Sequence, residues 1–500
     1  MLLHQWIFAE NQALVFEDRP QSGGAALLEI RPAGRAAQTL PLKILLIHGL
    51  CASKSVMRQM AAEIARWGSA CYLMDLPGHG DSTEHFSLQV SERATGRAVQ
   101  TFLSESNTSN PRPLVVIGHS FGARAALSAA QRDPRIAAVV ALSPAVEAFS
   151  PKAKVPLLVV TGEFDFPFVQ QGAAFLYEQV TGARLPRLDD PGQWESLTNS
   201  SRLVVLPWTD HSQTLFKASS MQEIKQWLTR ISPAIAEATF SPWAFWMRTQ
   251  LRAVFCILSL LIWFPMVALL ADVMSGGRKK AGDCITSALA SPFRLVWVYA
   301  FGASLASVGL LWMNPWARLG LMGGDYLTAL LCITGVLGLA VLRPECRVPA
   351  SAWRALVCSL LAWLILVLVC APWITAEFVH LDLNLTRFRR LPLIFLSVLP
   401  FFFLDELISR RVLQGLSRTR LVMLHLASRF ILAITLLLGF FVLRNGQFLV
   451  VLILPGLLLT SLLCWCLAAW IHRKTGSVAA SALFGALSTG WFFSVFFAEL

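Results

Sequence analysis

Leu114-Val115-Val116-Ile117-Gly118-His119-Ser120-Phe121-Gly122-Ala123 decides how the first half of this chain is read. Four consecutive apolar, mostly β-branched residues predict a buried strand, and the alanine-rich run Ala123–Gln131 behind the glycines predicts a helix. Between them a serine is flanked two positions either side by glycine. At a sharp strand-to-helix turn, side chains at those two positions would collide with the neighbouring strand and helix, so the spacing places Ser120 at the tip of such a turn.

Working outward, strands and helices alternate from residue 41 as in a parallel sheet with crossover helices. Leu42–Ile47 is a strand ending in His48-Gly49, with a helix near Val56–Trp67. Ala70–Asp75 is the next strand and breaks into a Pro-Gly-His-Gly turn. After the serine come strands at Ala137–Leu142, Leu157–Thr161 and Arg202–Leu206. The last two run into Asp165 and His211. A serine, an acid after a later strand and a histidine after the final strand, in that chain order, satisfy the positional requirements of a nucleophile, an orienting acid and a base. The serine hydroxyl is a poor nucleophile alone, so His211 is expected to take its proton and Asp165 to hold the imidazole in the correct tautomer. The oxyanion needs two backbone N–H groups, expected from Phe121 and, by position in His48-Gly49-Leu50-Cys51, from Leu50. Asp75, Asp81, Asp189 and Asp190 match no metal template and read as turn and solvent residues; no metal and no cofactor motif is found.

The runs HGLCASKSV, DLPGHGDS, GHSFGA, TGEFD and TDHS together resemble the α/β-hydrolase superfamily over about residues 30–230. The resemblance implies a doubly wound, mostly parallel sheet and hydrolysis of an ester, thioester, amide or related bond, with Ser120, Asp165 and His211 as catalytic residues. It does not name the substrate. Only about a dozen residues separate Leu142 from the next strand, leaving no room for a large cap domain there. A modest insertion lies instead at Thr181–Ser201.

The second half has another composition. The chain is 55% hydrophobic and 14% charged, against about a quarter charged in soluble proteins, and the excess lies after about residue 245. Eight apolar spans are expected, at about 251–274, 292–313, 325–342, 353–375, 391–408, 420–443, 447–471 and 478–498. The organisation expected is a hydrolase domain at 1–235, a linker at 236–250 and an all-α polytopic membrane domain at 251–500. The net charge of +12 resides largely in short loops between spans, where basic residues orient a membrane protein, so nucleic acid is not an expected partner. With eight spans, thirteen basic residues fall in the odd-numbered loops and five in the even-numbered ones, which favours a hydrolase outside the cytoplasm. The first residues, by contrast, carry no basic region, apolar core and cleavage site of a secretory signal. The missing signal is given the greater weight, so the expectation is an integral protein of a bacterial inner membrane with its hydrolase domain in the cytoplasm. Of ten cysteines only Cys51 and Cys71 lie in the first half, and no disulfide framework is expected.

Within the apolar segments, Asp405 and Glu406 with Arg410 are costly in lipid and thus candidates for a membrane site. Glu406 and Arg410 are four apart, so one helix face can pair them. The run DELISRRVLQGLSR resembles the E-E-x-x-x-R motif of the CAAX-protease and bacteriocin-processing membrane protease family, and IHRKTGSVAASALFGALSTG the segment leading into its last motif. The resemblance covers about 391–492 and implies an acidic pair at Asp405 and Glu406 and an arginine at Arg410. Two departures stand out: Phe430–Ile434 puts isoleucine where the family has histidine, and the final motif falls on Gly485–Thr489. Without those histidines the family's metal site or base cannot be built, and His425, one turn away, is a poor substitute. This half reads as a degenerate, non-proteolytic relative.

Two functions follow as expectations. One is a membrane-anchored serine hydrolase, esterase- or lipase-like, acting on an amphipathic or lipid-linked substrate. The alternative is a helical membrane protein that binds or transports a hydrophobic ligand or partner, with the hydrolase fold as a regulatory module.

Overall fold

The computed structural model describes residues 14–22, 25–33, 40–104, 112–146, 155–182, 192–195, 201–275, 284–285, 292–342, 345–346, 352–377, 380–412 and 417–500. Asp189 and Asp190 lie outside them. The chain forms two compact units. The first comprises Met1–Cys256 with Ile374–His380 and Ala498–Leu500, and the second Ile257–Trp373 with Leu381–Phe497.

In the first unit the elements run β1 (Leu14–Ser22), β2 (Ala25–Pro32), β3 (Lys43–Ile47), α1 (Arg58–Arg66), β4 (Ala70–Met74), α2 (Leu88–Ser104), β5 (Leu114–His119), α3 (Phe121–Arg132), β6 (Ile136–Leu142), β7 (Leu157–Gly162), α4 (Pro167–Thr181), β8 (Gly192–Glu195), β9 (Arg202–Leu206) and α5 (Ala218–Ile231). They build one sheet of order β1-β2-β4-β3-β5-β6-β7-β9-β8. Strands β4, β3, β5, β6, β7 and β9 pair in parallel. The hairpin β1–β2 and strand β8 close the two edges in antiparallel fashion.

The central strands are apolar without interruption because both faces are covered. On one face Ile44, Leu46, Leu73, Val115, Ile117, Val140, Leu158 and Val204 pack with α1 and α5. The alternate residues point the other way, where Tyr72 stacks on Phe102 of α2 at 4.2 Å between ring centroids. This is a doubly wound α/β-hydrolase fold. The six parallel strands stand where the sequence pattern puts them. The hairpin and β8 were not foreseen: β1 is rich in charge and contains Pro20, and β8 sits inside the stretch read as an insertion.

The residues 236–250, expected as a linker, carry part of a 3-10 turn, Pro233–Glu237, and the first turns of α6 (Pro242–Ser275). Phe245 is fully buried in the core of the first unit, its ring tilted against that of Phe240, a burial that stabilises by about 1.5–3 kcal/mol. Arg248 pairs with Glu63 of α1 at 2.6 Å.

The second unit is helical: the remainder of α6, then α7 (Pro292–Trp312), α8 (Gly324–Leu342), α9 (Ala352–Ile365, running through a π turn into Ala371–Glu377), α10 (Leu385–Leu407), α11 (Arg418–Phe441), α12 (Leu454–Thr475) and α13 (Val478–Phe496). Among the described residues seven helices are long and apolar enough to cross a membrane, and the second of the eight expected spans falls on a further apolar helix, α7. Small residues let the helices close up: a Cβ on Gly335 of α8 would lie 2.2 Å from the backbone nitrogen of Phe401 on α10.

Candidate active site

Ser120 sits between β5 and α3 with φ 53° and ψ −117°, a conformation costly for any residue with a side chain. The turn is as tight as the glycine spacing demands. A Cβ on Gly118 would meet the carbonyl oxygen of Gly122 at 2.3 Å, and one on Gly122 the carbonyl oxygen of Ile47 at 2.3 Å. The backbone N–H of Ser120 donates to Leu142 on β6 (2.8 Å), which ties the turn to the sheet.

Asp165 and His211 arrive on two loops stitched together. The N–H of Glu163 donates to Leu206 O and that of Phe164 to Thr209 O, both at 2.9 Å, so the segments after β7 and β9 run side by side. Gly162 makes this approach possible, since a Cβ there would lie 2.1 Å from Thr209 O. The result is a continuous relay. Ser120 Oγ is 3.0 Å from His211 Nε2, and His211 Nδ1 is 2.8 Å from Asp165 Oδ1.

Asp165 is buried and ionised. Burial alone raises its pKa, but His211, Ser143 and the Phe166 N–H hold the carboxyl below the usual carboxylate range. Thr161 Oγ1 donates to its Oδ2 at 3.1 Å and the Phe166 N–H to its Oδ1 at 2.8 Å. Thr161, Ser143 and Thr214 were not singled out in the sequence. Thr214 donates to His211 O (3.0 Å) and meets Ser143 Oγ at 3.1 Å. Short hydroxyl residues at strand ends are too common to stand out by type alone.

A further residue was hidden inside the motif itself. His119 Nε2 donates to the carbonyl oxygen of His211 at 3.0 Å, and the two rings lie 5.0 Å apart. Burial, and next the nearby His211, push its pKa down to about 3, so His119 is neutral across the physiological range.

The loop after β3 passes beside the serine: a Cβ on Gly49 would lie 3.0 Å from Ser120 Cβ. Leu50 follows directly. Phe121 is the first residue of α3, so its N–H has no acceptor within the helix. Aromatic rings wall the site. Phe166 is 5.4 Å from the His211 ring and stacks on Phe168, while Phe86 meets Phe121 edge-on at 5.4 Å.

Asp75 corrects an expectation. Read as a turn and solvent residue, it is fully buried and paired with Lys54 Nζ at 2.6 Å. Asp81 stays half exposed and shares the same lysine. The sequence gives no warning, because Lys54 lies 21 positions away on another loop. No group of three or more His, Cys, Asp and Glu that could hold a metal ion occurs among the described residues.

In the second unit Glu406 and Arg410 pair at 3.1 Å, as their spacing allows. Asp405 does not join them. It faces Arg429 of α11, whose Nη2 is 2.7 Å from Oδ2 and Nη1 3.1 Å from Oδ1, and it accepts from Tyr299 Oη at 2.7 Å. His425 Nδ1 is 3.8 Å from Asp405, and its ring stacks on Trp465 at 4.4 Å. Neither Arg429 nor Tyr299 was anticipated; both lie outside the motif that drew attention to Asp405.

Comparison with known proteins bears on the first unit. The family described as serine aminopeptidase, S33, matches residues 41–158. No curated protein matches the chain. Solved structures similar to it include a dienelactone hydrolase from Anabaena variabilis (22% identity, 44% of this chain and 98% of that one, TM-score 0.34). A soluble variant of monoglyceride lipase from Saccharomyces cerevisiae is another (14% identity, 44% and 95%, TM-score 0.33). A predicted CIB-like hydrolase from Thermoplasma acidophilum is a third (16% identity, 45% and 99%, TM-score 0.33). The family match and the sheet topology support a hydrolase of the α/β type.

Proposed function

We propose that the first unit is a serine hydrolase, with Ser120 as nucleophile, His211 as general base and Asp165 as its orienting acid. The observation that carries this reading is the 3.0 and 2.8 Å relay on a strained strand-to-helix turn. In that arrangement His211 Nε2 takes the Ser120 proton as Oγ attacks the substrate carbonyl. The imidazolium so formed is stabilised by Asp165 and returns the proton to the leaving group. Water then attacks the acyl-enzyme by the same base. The oxyanion of each tetrahedral intermediate is met by the N–H groups of Phe121 and Leu50.

The aromatic walls Phe166–Phe168 and Phe86–Phe121 favour an apolar acyl group, and seven apolar helices in the same chain favour a substrate met at a bilayer. The substrate class proposed is an amphipathic or lipid-linked ester or thioester. On this reading the protein is anchored in the membrane by its second half, with the hydrolase unit on the cytoplasmic side. The test is labelling of the detergent-solubilised protein with a fluorophosphonate, compared with Ser120→Ala and His211→Ala, followed by a panel of p-nitrophenyl esters and aminoacyl p-nitroanilides. Labelling lost with Ser120 and turnover of the esters supports the reading. An unlabelled, correctly folded parent sinks it, and turnover of the anilides alone redirects it to peptide bonds.

One observation favours a second reading for the helical half. A cavity of about 110 Å³ among α8, α10, α11, α12 and α13 is lined mostly by leucine and phenylalanine, with Arg429, Thr460, Ser461, Ser488 and Thr489 also at its wall. Such a space suits an alkyl chain rather than water, which needs two to four polar partners. This half, which resembles the membrane proteases without their histidines, is on that reading a hydrophobic-ligand binder. Saturable retention of a spin-labelled fatty acid, lost on filling the cavity with Ala433→Phe, is the measurement that decides it.

A further inference from the structure

The loop that passes beside Ser120, His48–Ser53, is held by a reciprocal brace. His48 Nδ1 lies 2.6 Å from Gly49 O, and a carbonyl only accepts, so Nδ1 carries the proton. Its Nε2 is therefore bare and accepts the N–H of Leu76 at 3.0 Å. His79, on the Pro-Gly-His-Gly turn, repeats the arrangement in the opposite sense. Its Nδ1 donates to Pro77 O at 2.9 Å and its Nε2 accepts the N–H of Cys51 at 3.2 Å. Each loop thus contributes one histidine that receives a backbone N–H from the other. The two rings meet edge-on at 5.2 Å, and both are buried.

The brace decides which N–H groups remain for chemistry. Cys51, with φ 54°, spends its N–H on His79. For Leu50, one residue nearer the serine, no acceptor is present among the described residues. Opposite it, Phe86 packs edge-on against both His79 and Phe121. The segment 78–86 therefore touches the loop after β3 through His79 and Phe121 through Phe86.

That turn is secured in its own right. Glu499 N donates to Gly78 O at 3.0 Å, and Phe86 N donates to Glu499 O at 2.5 Å, so Glu499 bonds both ends of the segment 78–86. The thiol of Cys51 bonds the backbone of Ala498. Residues 498 and 499 thus grip the turn and the loop together, more than 400 positions along the chain from either.

We propose that His79, backed by Ala498–Glu499, is a positioning device that fixes the loop so that the Leu50 N–H points at the oxyanion forming on the Ser120 adduct. This rests on the serine-hydrolase reading. His79 acts here through its bond to Cys51 and touches no reacting atom. Removing the acceptor at Nε2 frees the Cys51 N–H, lets the left-handed residue relax, and swings Leu50 away from the developing charge. Loss of one oxyanion donor lowers kcat by about 10²–10³-fold, and misplacing one costs a fraction of that.

The experiment uses the full chain in detergent, with p-nitrophenyl butyrate as substrate and an alkyl trifluoromethyl ketone as the transition-state mimic. His79→Leu is expected to lower kcat by about tenfold or more with KM within twofold, and to weaken the ketone by the same factor. His79→Gln, whose Oε1 can accept the Cys51 N–H, should recover most of both. Glu499→Pro, which removes the donor to Gly78, should fall between. If the parent turns over and His79→Leu keeps kcat within twofold, the proposal is overturned. A loss that Gln does not rescue, or one that appears in KM alone, overturns it equally, since either marks His79 as packing. A parent with neither turnover nor fluorophosphonate labelling overturns the hydrolase reading itself, and the proposal with it. Should His79→Leu fail to fold, the Gln and Pro variants carry the same decision.

Discussion

The relay at Ser120 and the ion cluster at Asp405 are both buried assemblies of a carboxylate, a basic group and a hydroxyl, yet they differ in what is left over. Around Asp405 every oxygen is engaged: Oδ1 by Tyr299 and Arg429, Oδ2 by Arg429. The guanidinium continues to Ser461 at 2.7 Å, so the carboxylate and its arginine are fully paired, while the neighbouring His425 leaves both ring nitrogens without a hydrogen-bond partner among the described residues. At Ser120 the relay ends on a hydroxyl whose partner is His211 Nε2, held at a strained φ, beside two backbone N–H groups with no acceptor among the described residues. Spent hydrogen-bonding capacity marks a support, and unspent capacity under strain marks a place where a substrate can complete the set.

That contrast can be broken most decisively at the relay. Ser120→Ala is expected to abolish ester turnover, and Asp165→Asn to lower kcat by about 10⁴-fold through the wrong imidazole tautomer, with some loss of thermal stability as the carboxylate held by His211, Ser143 and the Phe166 N–H is removed. Steady-state kinetics on purified protein decide it; residual turnover within tenfold of the parent removes Asp165 from the reaction. The Asp405 cluster should behave in the opposite way. Asp405→Ala strands the Arg429 guanidinium and is expected to cost about 3–5 kcal/mol of stability, while turnover in the protein that remains folded stays within twofold. Replacing both partners, Asp405→Leu with Arg429→Met, should recover much of that loss. A double variant as unstable as the single one would show that the cluster does more than support the helices.

Much of the first unit was legible because its polar motif residues sit past strand ends, where an uninterrupted apolar run stops. Ser120, Asp165 and His211 each follow such a run, and the structure brings all three together. The two edge regions were not legible: β1 mixes Glu17, Asp18 and Arg19 with its apolar residues, and its charges are absorbed by cross-strand pairs such as Arg19–Glu29, which sequence order does not display. Asp75 shows the same limit, since a buried ion pair looks in sequence like an exposed turn. In the helical half, length and hydropathy find the spans, and the i to i+4 spacing finds Glu406–Arg410. The partner of Asp405 is 24 positions away on another helix, and only packing reveals it.

The smallest effect expected sharpens the view of Asp165 as a carboxylate held by its surroundings. Burial pushes its pKa up, but the bonds from His211, Ser143 and the Phe166 N–H win, so in the folded protein it lies below the unfolded value of 3.8. A carboxyl lowered on folding binds fewer protons in the native state than in the unfolded chain, so stability rises with pH across that interval. Its contribution is complete above about pH 4–5 and is lost as pH falls through the lowered native value. Thr161 lies on the side of the carboxylate away from His211, donating to Oδ2 at 3.1 Å. Thr161→Val keeps the shape and removes that donor, so it should lower stability by about 1–2 kcal/mol at neutral pH. It should also shrink the further loss between pH 5 and 3, because less of the carboxylate's stabilisation remains to be titrated away. Turnover should fall only a few-fold, since the bond to His211 survives. Unfolding measured against pH for parent and variant separates the two cases: parallel curves would mean that Thr161 packs against Asp165 without holding its charge.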